Sequence, residues 1–247
     1  MKRYRWLLGC CLFLSIGMLW AADEPDLRML QQKAAQSRDM EGYVGVCKYL
    51  YQTEENPELL LLYADSIHQL ATKSKKPEQL VEYYIWASEG NFIKGDFQQG
   101  YALKRKAIAL AEKVGLKFAI SQSCCDMGYY CNVDARYDSA RYYFRKGLEA
   151  GEDLSEAGEA CRTMLTNYAS SFLFEGKTDS ALVYTIRASE RSAADKDTAM
   201  LIENLNQLGT IYRRKKDLEN CIANFEQALH LCELRGNHNA VAFIYGN

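Results

Sequence analysis

Residues 205–229 read LNQLGTIYRRKKDLENCIANFEQAL. Leu205, Leu208-Gly209 and Tyr212 fall on one stripe at helical spacing, and the polar run Arg213 to Asp217 interrupts it. Cys221, Phe225 and Ala228-Leu229 then resume the helical period. This is two helices and a turn. The same order recurs upstream. Leu165, Tyr168-Ala169 and Phe172 precede Gly176, Ala181 and Ala188, while Cys124, Met127-Gly128 and Cys131 precede Tyr137, Ala140, Phe144 and Gly147-Leu148. Another copy runs from Tyr84 through Ser88 to Gly95, Phe97, Gly100 and Ala107-Ile108. The small residue falls at Ser88, Gly128, Ala169 and Gly209, in steps of 40, 41 and 40. Such a register marks an internal repeat.

Composition agrees with helices. The chain has 247 residues, 30 Lys+Arg against 32 Asp+Glu, and is 48% hydrophobic and 25% charged, which excludes bulk disorder, collagen and a multi-span membrane protein. Average usage would give about 12 prolines; there are 3, at Pro25, Pro57 and Pro77. From Glu78 to Asn247 the strongest helix breaker does not occur.

The repeated residues resemble the tetratricopeptide repeat (TPR) family over residues 77–247. The family pattern sets a bulky residue, an apolar-small pair, an aromatic, a turn glycine, an alanine, an aromatic and a final alanine. Leu205, Leu208-Gly209, Tyr212, Phe225 and Ala228 match it most fully, and Gly128, Tyr137, Ala140 and Phe144 nearly as well. Two features depart from it: the period exceeds the family's 34 residues, and no proline closes each unit. The resemblance implies an all-α, right-handed α-α superhelical solenoid whose period is about 40 residues, with the added length in helices and turns. Each hairpin alone has too little apolar surface to form a core, so repeats stack.

Turns are expected at Asp134 to Asp138, Gly176 to Asp179, Arg213 to Asp217 and Arg235 to Asn237. Upstream, Asp26 to Ser37, Glu41 to Gln52 and Glu58 to Lys73 read as amphipathic helices outside the register. Residues 23–76 are therefore read as diverged hairpins capping the array. The final repeat is read as truncated, since adding the period to Gly209 passes Asn247.

Residues 1–22 read as a signal peptide or an uncleaved anchor. Lys2, Arg3 and Arg5 are basic, Leu7 to Trp20 carries no charge, and Ala21-Ala22 and Asp23-Glu24 follow. Trp20 sits where cleavage prefers a small residue, and Cys10 offers a site for lipidation. Export would place Cys47, Cys124, Cys125, Cys131, Cys161, Cys221 and Cys232 in an oxidising compartment. Packing as small hydrophobes is the leading reading for them. A single disulfide from Cys161 to Cys124 or Cys125 is an alternative, as is a metal site at Cys221, His230, Cys232 and His238.

The residues give no catalytic signature. GxSxG, HExxH, GxGxxG and calcium-loop patterns are absent. Ser171 to Thr178 is one glycine short of a phosphate loop, but Gly176 fills a repeat turn and no strand precedes it. His68, His230 and His238 are scattered. No cofactor and no metal are expected, and no basic stripe invites nucleic acid.

A stacked array exposes a concave face built from the first helix of each pair. Counting around each helix from the small residue, the expected partner groove holds Glu89, Phe92, Gln122, Tyr129, Asn132, Thr166, Ser170, Phe174, Asn206, Thr210 and Arg213. The mix of aromatic, amide and hydroxyl groups suits a peptide or protein segment. The lysine-rich carboxylate clamp of chaperone-binding family members is not reproduced: Ile85, Cys125, Thr166 and Asn206 hold its slot. The resemblance to the repeat family thus implies a non-enzymatic binding module. The leader-like segment, the long repeats and the truncated last repeat together resemble exported bacterial sensor proteins of the tetratricopeptide type, with the repeats outside the cytoplasm. The chain's expected role is the sensing region of a membrane-associated signalling or transcriptional regulator. A stand-alone periplasmic assembly scaffold, or the accessory repeats of an enzyme, are the rival readings.

Overall fold

A computed structural model describes residues 27–53, 56–236, 241 and 244. The leader-like segment and His238 lie outside these residues. Eleven α-helices span the described residues, with no strand among them. They are α1 (Leu27–Ser37), α2 (Met40–Thr53), α3 (Pro57–Ser74), α4 (Pro77–Lys94), α5 (Phe97–Val114) and α6 (Lys117–Val133). There follow α7 (Tyr137–Gly151), α8 (Gly158–Phe174), α9 (Thr178–Ala194), α10 (Thr198–Arg214) and α11 (Leu218–Leu234). The expected all-α hairpin repeat is the observed fold.

The chain divides into two compact units between Met127 and Gly128, inside α6. Lys76, where the sequence separates diverged hairpins from the register-keeping ones, links α3 to α4 within the first unit.

Helix starts follow elementary capping chemistry. Asn56 accepts from Leu59 N at 2.9 Å ahead of α3, Asp96 from Gln99 N at 3.1 Å ahead of α5, and Asp197 from Met200 N at 3.1 Å ahead of α10. Pro57 and Pro77 occupy first helical turns, where their missing N–H costs nothing. The long period sits mainly in the helices. α4 and α5 run 18 residues and α8 to α11 run 17, while their links hold two or three residues. The expectation that turns also lengthen holds only between α7 and α8, where a 3-10 turn at Ser155–Ala157 intervenes.

Each first-to-second-helix turn closes the same way. Gly95, Ala135, Gly176 and Lys216 adopt left-handed φ of 92°, 56°, 81° and 62°. Their N–H groups donate to the carbonyls of Phe92, Asn132, Leu173 and Arg213. These turns keep the register of the small residues.

In the first unit, Val46, Leu50, Leu60, Ile67, Val81, Ile85 and Trp86 form a continuous core with Leu103 and Ala107. In the second, Ile202, Leu205, Leu208, Ala228, Cys232 and Ile244 form one cluster, and Leu173, Ala181 and Ile211 another. Small and large residues interlock across hairpins. A Cβ added at Gly209 would stand 2.7 Å from Phe225, and one at Gly128 would meet Phe144 closer still. In the α4–α5 hairpin the sizes are exchanged: Phe92 of the first helix packs on Gly100 of the second. Lys104 takes the register of Phe144 and Phe225. It is buried and pairs with Glu89 and, at 3.0 Å, with Asp126. Burial alone would lower the Lys104 pKa, but Asp126 and Glu89 overcome it and hold the ammonium above the ordinary lysine value.

The seven cysteines of the described residues are buried and form no disulfide. Burial pushes the Cys47 and Cys232 thiols upward. Among the described residues no cluster of three or more His, Cys, Asp or Glu is placed to hold a metal. No helix among them is long and apolar enough to cross a membrane.

Candidate functional site

Five of the eleven sequence-derived groove residues are buried: Glu89, Phe92, Asn132, Thr166 and Ser170. Each has an internal reason. Glu89 neutralises Lys104, and Phe92 fills its hairpin beside Tyr101, with ring centroids 5.2 Å apart. Asn132 donates to the Asn167 carbonyl of α8 at 3.0 Å. Thr166 donates to Asn204 Oδ1 of α10 at 2.9 Å, and Ser170 Oγ accepts from Gln207 at 2.6 Å. The helical arc chosen from the small residue therefore includes the side on which the next first helix packs.

That side is a polar seam. Asn204 continues from Thr166 to Ser192 Oγ at 3.1 Å, and Gln207 Oε1 accepts from Thr185 at 2.9 Å. Arg214 donates to the Leu173 carbonyl at 2.9 Å. At the end of the seam, Arg162 bridges Asp197 at 2.9 Å and Asp195 at 3.0 Å. Hydrogen bonds from Arg191 and Arg162 hold the Asp195 carboxyl below the usual carboxylate range. Buried hydrogen-bonding groups need such partners, so the seam fixes the registration of α8, α9 and α10. The sequence hint was that Asn204 and Gln207 stand beside the apolar positions Leu205 and Leu208 of α10.

Six positions remain accessible. Gln122 is exposed in the first unit. In the second, Phe174 and Arg213 are exposed, and Tyr129, Asn206 and Thr210 are half-buried. Asn206, Thr210 and Arg213 lie three and four residues apart, forming one stripe of α10. Phe174 ends the preceding first helix, its ring 6.2 Å from that of Tyr137. The surface offers aromatic, amide, hydroxyl and guanidinium groups. It contains no nucleophile–base pair.

No protein-family model matches the chain, and no curated protein sequence matches it. Solved structures do. BtubC (BKLC) from P. vanneervenii superimposes with a TM-score of 0.69 at 12% identity, covering 96% of this chain and 93% of that one. A putative kinesin light chain of Podosopora anserina, built of nearly identical TPR-like repeats, gives 0.61 at 10% identity, over 79% and 95%. PlcR of Bacillus thuringiensis, solved with the peptide PapR7 and DNA, gives 0.56 at 14% identity, over 100% and 97%. The chain is thus a helical repeat protein of tetratricopeptide-like fold.

Proposed function

We propose that this chain is a non-enzymatic module that binds an extended peptide or protein segment along the first-helix face of its second unit. The observation that carries this reading is the α10 stripe Asn206–Thr210–Arg213 beside exposed Phe174 of α8. An amide and a hydroxyl can serve a peptide backbone, an aromatic edge can hold an apolar side chain, and Arg213 can take a carboxylate. The likeness to PlcR, solved with a bound peptide, supports the choice of ligand class. DNA is not carried over, because the net charge is −2 and no basic stripe accompanies this face.

The same reading takes the chain as exported and as the sensing region of a membrane-associated signalling or transcriptional regulator. Its support is the basic-then-apolar layout of residues 1–22. A fusion of residues 1–30 to a reporter active only outside the cytoplasm tests export: an inactive fusion rejects it.

Panning a phage-displayed peptide library on the full chain tests binding. Enriched peptides should bind the wild type and lose ~tenfold affinity on Phe174→Ala with Arg213→Ala, while the melting temperature stays put. Enriched peptides that bind the double variant equally well would reject this face.

A further inference from the structure

A second surface lies on the opposite arc of α8, toward α7 and α9. Tyr168 and Phe172 of α8 pack on Tyr184 of α9. Phe172 and Tyr184 stack with centroids 5.3 Å apart and planes 3° from parallel, and Tyr168 meets Tyr184 edge-on at 4.7 Å. Burial raises the Tyr168 pKa, and the Tyr184 hydroxyl adds to it. Three guanidinium groups border this aromatic wedge. Arg141 of α7 lies 4.6 Å over Phe172, Arg187 of α9 lies 5.9 Å from the Tyr184 centroid, and Arg145 of α7 acts electrostatically on Tyr168.

The three arginines differ in their partners. Arg141 is buried and neutralised by Asp138 and Glu175. Arg145 and Arg187 are exposed, and neither forms an ion pair with a carboxylate among the described residues. Apolar groups flank them: Tyr142 is 50% and Val183 55% exposed, one turn before Arg145 and Arg187 on the same helices. Arg187 lies over an aromatic ring, Arg145 borders the same wedge, and an exposed tyrosine ring and an exposed aliphatic side chain flank them, the composition of a protein-interaction hot spot.

We infer that this face docks an acidic peptide segment bearing aliphatic side chains, its carboxylates on Arg145 and Arg187 and its apolar groups on Tyr142 and Val183. Charge complementarity selects the occupant: the two free guanidinium groups take carboxylates in bidentate geometry, which lysine could not match. The overall charge of −2 and the exposed aliphatic Val183 favour protein over nucleic acid. This site is separate from the first-helix face, because Tyr168 and Phe172 lie across the α8 axis from Ser170 and Phe174.

The test is fluorescence anisotropy of the full chain with a labelled peptide of repeated Glu-Glu-Leu triplets, at low salt. Binding should fall ~tenfold in R145E/R187E and clearly in R145Q/R187Q, with unchanged circular dichroism. The charge-matched K73E/K113E, in the first unit, should bind as the wild type does. F174A/R213A should also bind normally, which separates this proposal from the groove. No binding by the wild type, equal binding of a Gln-Gln-Leu peptide, an equal loss in K73E/K113E, or tighter binding of oligouridylate would each overturn it.

Discussion

Gly209 lies flat against the ring of Phe225, where an added methyl carbon would stand 2.7 Å from Cε1. Gly128 and Phe144 repeat the relationship at the same offset, one hairpin pair having come between. Glycine is needed here for close approach, not for backbone freedom. Gly209→Ala should therefore destabilise the second unit by about 1–3 kcal/mol through overpacking. Phe225→Ala should do so by about 3–5 kcal/mol through a cavity. In urea denaturation, Gly209→Ala combined with Phe225→Leu should lose less than the two single effects summed.

Ala135 and Lys216 occupy turn positions where Gly95 and Gly176 stand in the sister repeats, all with positive φ. A side chain in that region costs about 1 kcal/mol. Ala135→Gly and Lys216→Gly should each stabilise by somewhat under that amount, raising Tm by about 2–3 °C. Gly176→Ala should lower it comparably. Differential scanning fluorimetry reads all three.

Lys104 and its two carboxylates replace the aromatic wedge in the α4–α5 hairpin. Lys104→Met leaves Glu89 buried without its cation, which should cost about 3–5 kcal/mol. Lys104→Met with Glu89→Leu should recover most of the loss. The Lys104 pKa is raised, so its contribution is complete below the ordinary lysine value of about 10.4 and is lost only as pH rises through the folded value. Wild-type Tm should hold from neutral pH to about pH 10, and then fall more steeply than that of the double variant.

Asp195 and Glu175 have the opposite sign. Arg191 and Arg162 depress the first carboxyl, and Lys177 and Arg141 the second. Stability from these pairs is present above the unfolded carboxylate range of about 4 and is lost as pH falls through the depressed folded values. Arg162→Met should flatten the acid limb of the Tm–pH profile. An unchanged acid limb would mean that Arg162 contributes no linkage.

The repeat was legible because glycine, aromatic and turn residues recur at one spacing, and each answers to a local constraint that the sequence itself states. Pro57 and Pro77 stand in first helical turns, where the constraint is equally local. The groove was only partly legible. Counting around a helix from Gly128 or Ala169 gives an arc but not which side the next helix covers, so Thr166 and Ser170 counted as contacts although Asn204 and Gln207 bury them. Glu89 was unreadable for another reason: its partner Lys104 sits where sister hairpins carry Phe144 and Phe225, and only the fold brings them together.

Hydrogen–deuterium exchange of the full chain, with and without a library-selected peptide, tests the binding claim most directly. Added protection should map to 158–174 and 198–214, the helices carrying Phe174 and the Asn206–Thr210–Arg213 stripe. Protection confined to 137–151 and 178–194, or none at saturating peptide, would contradict it.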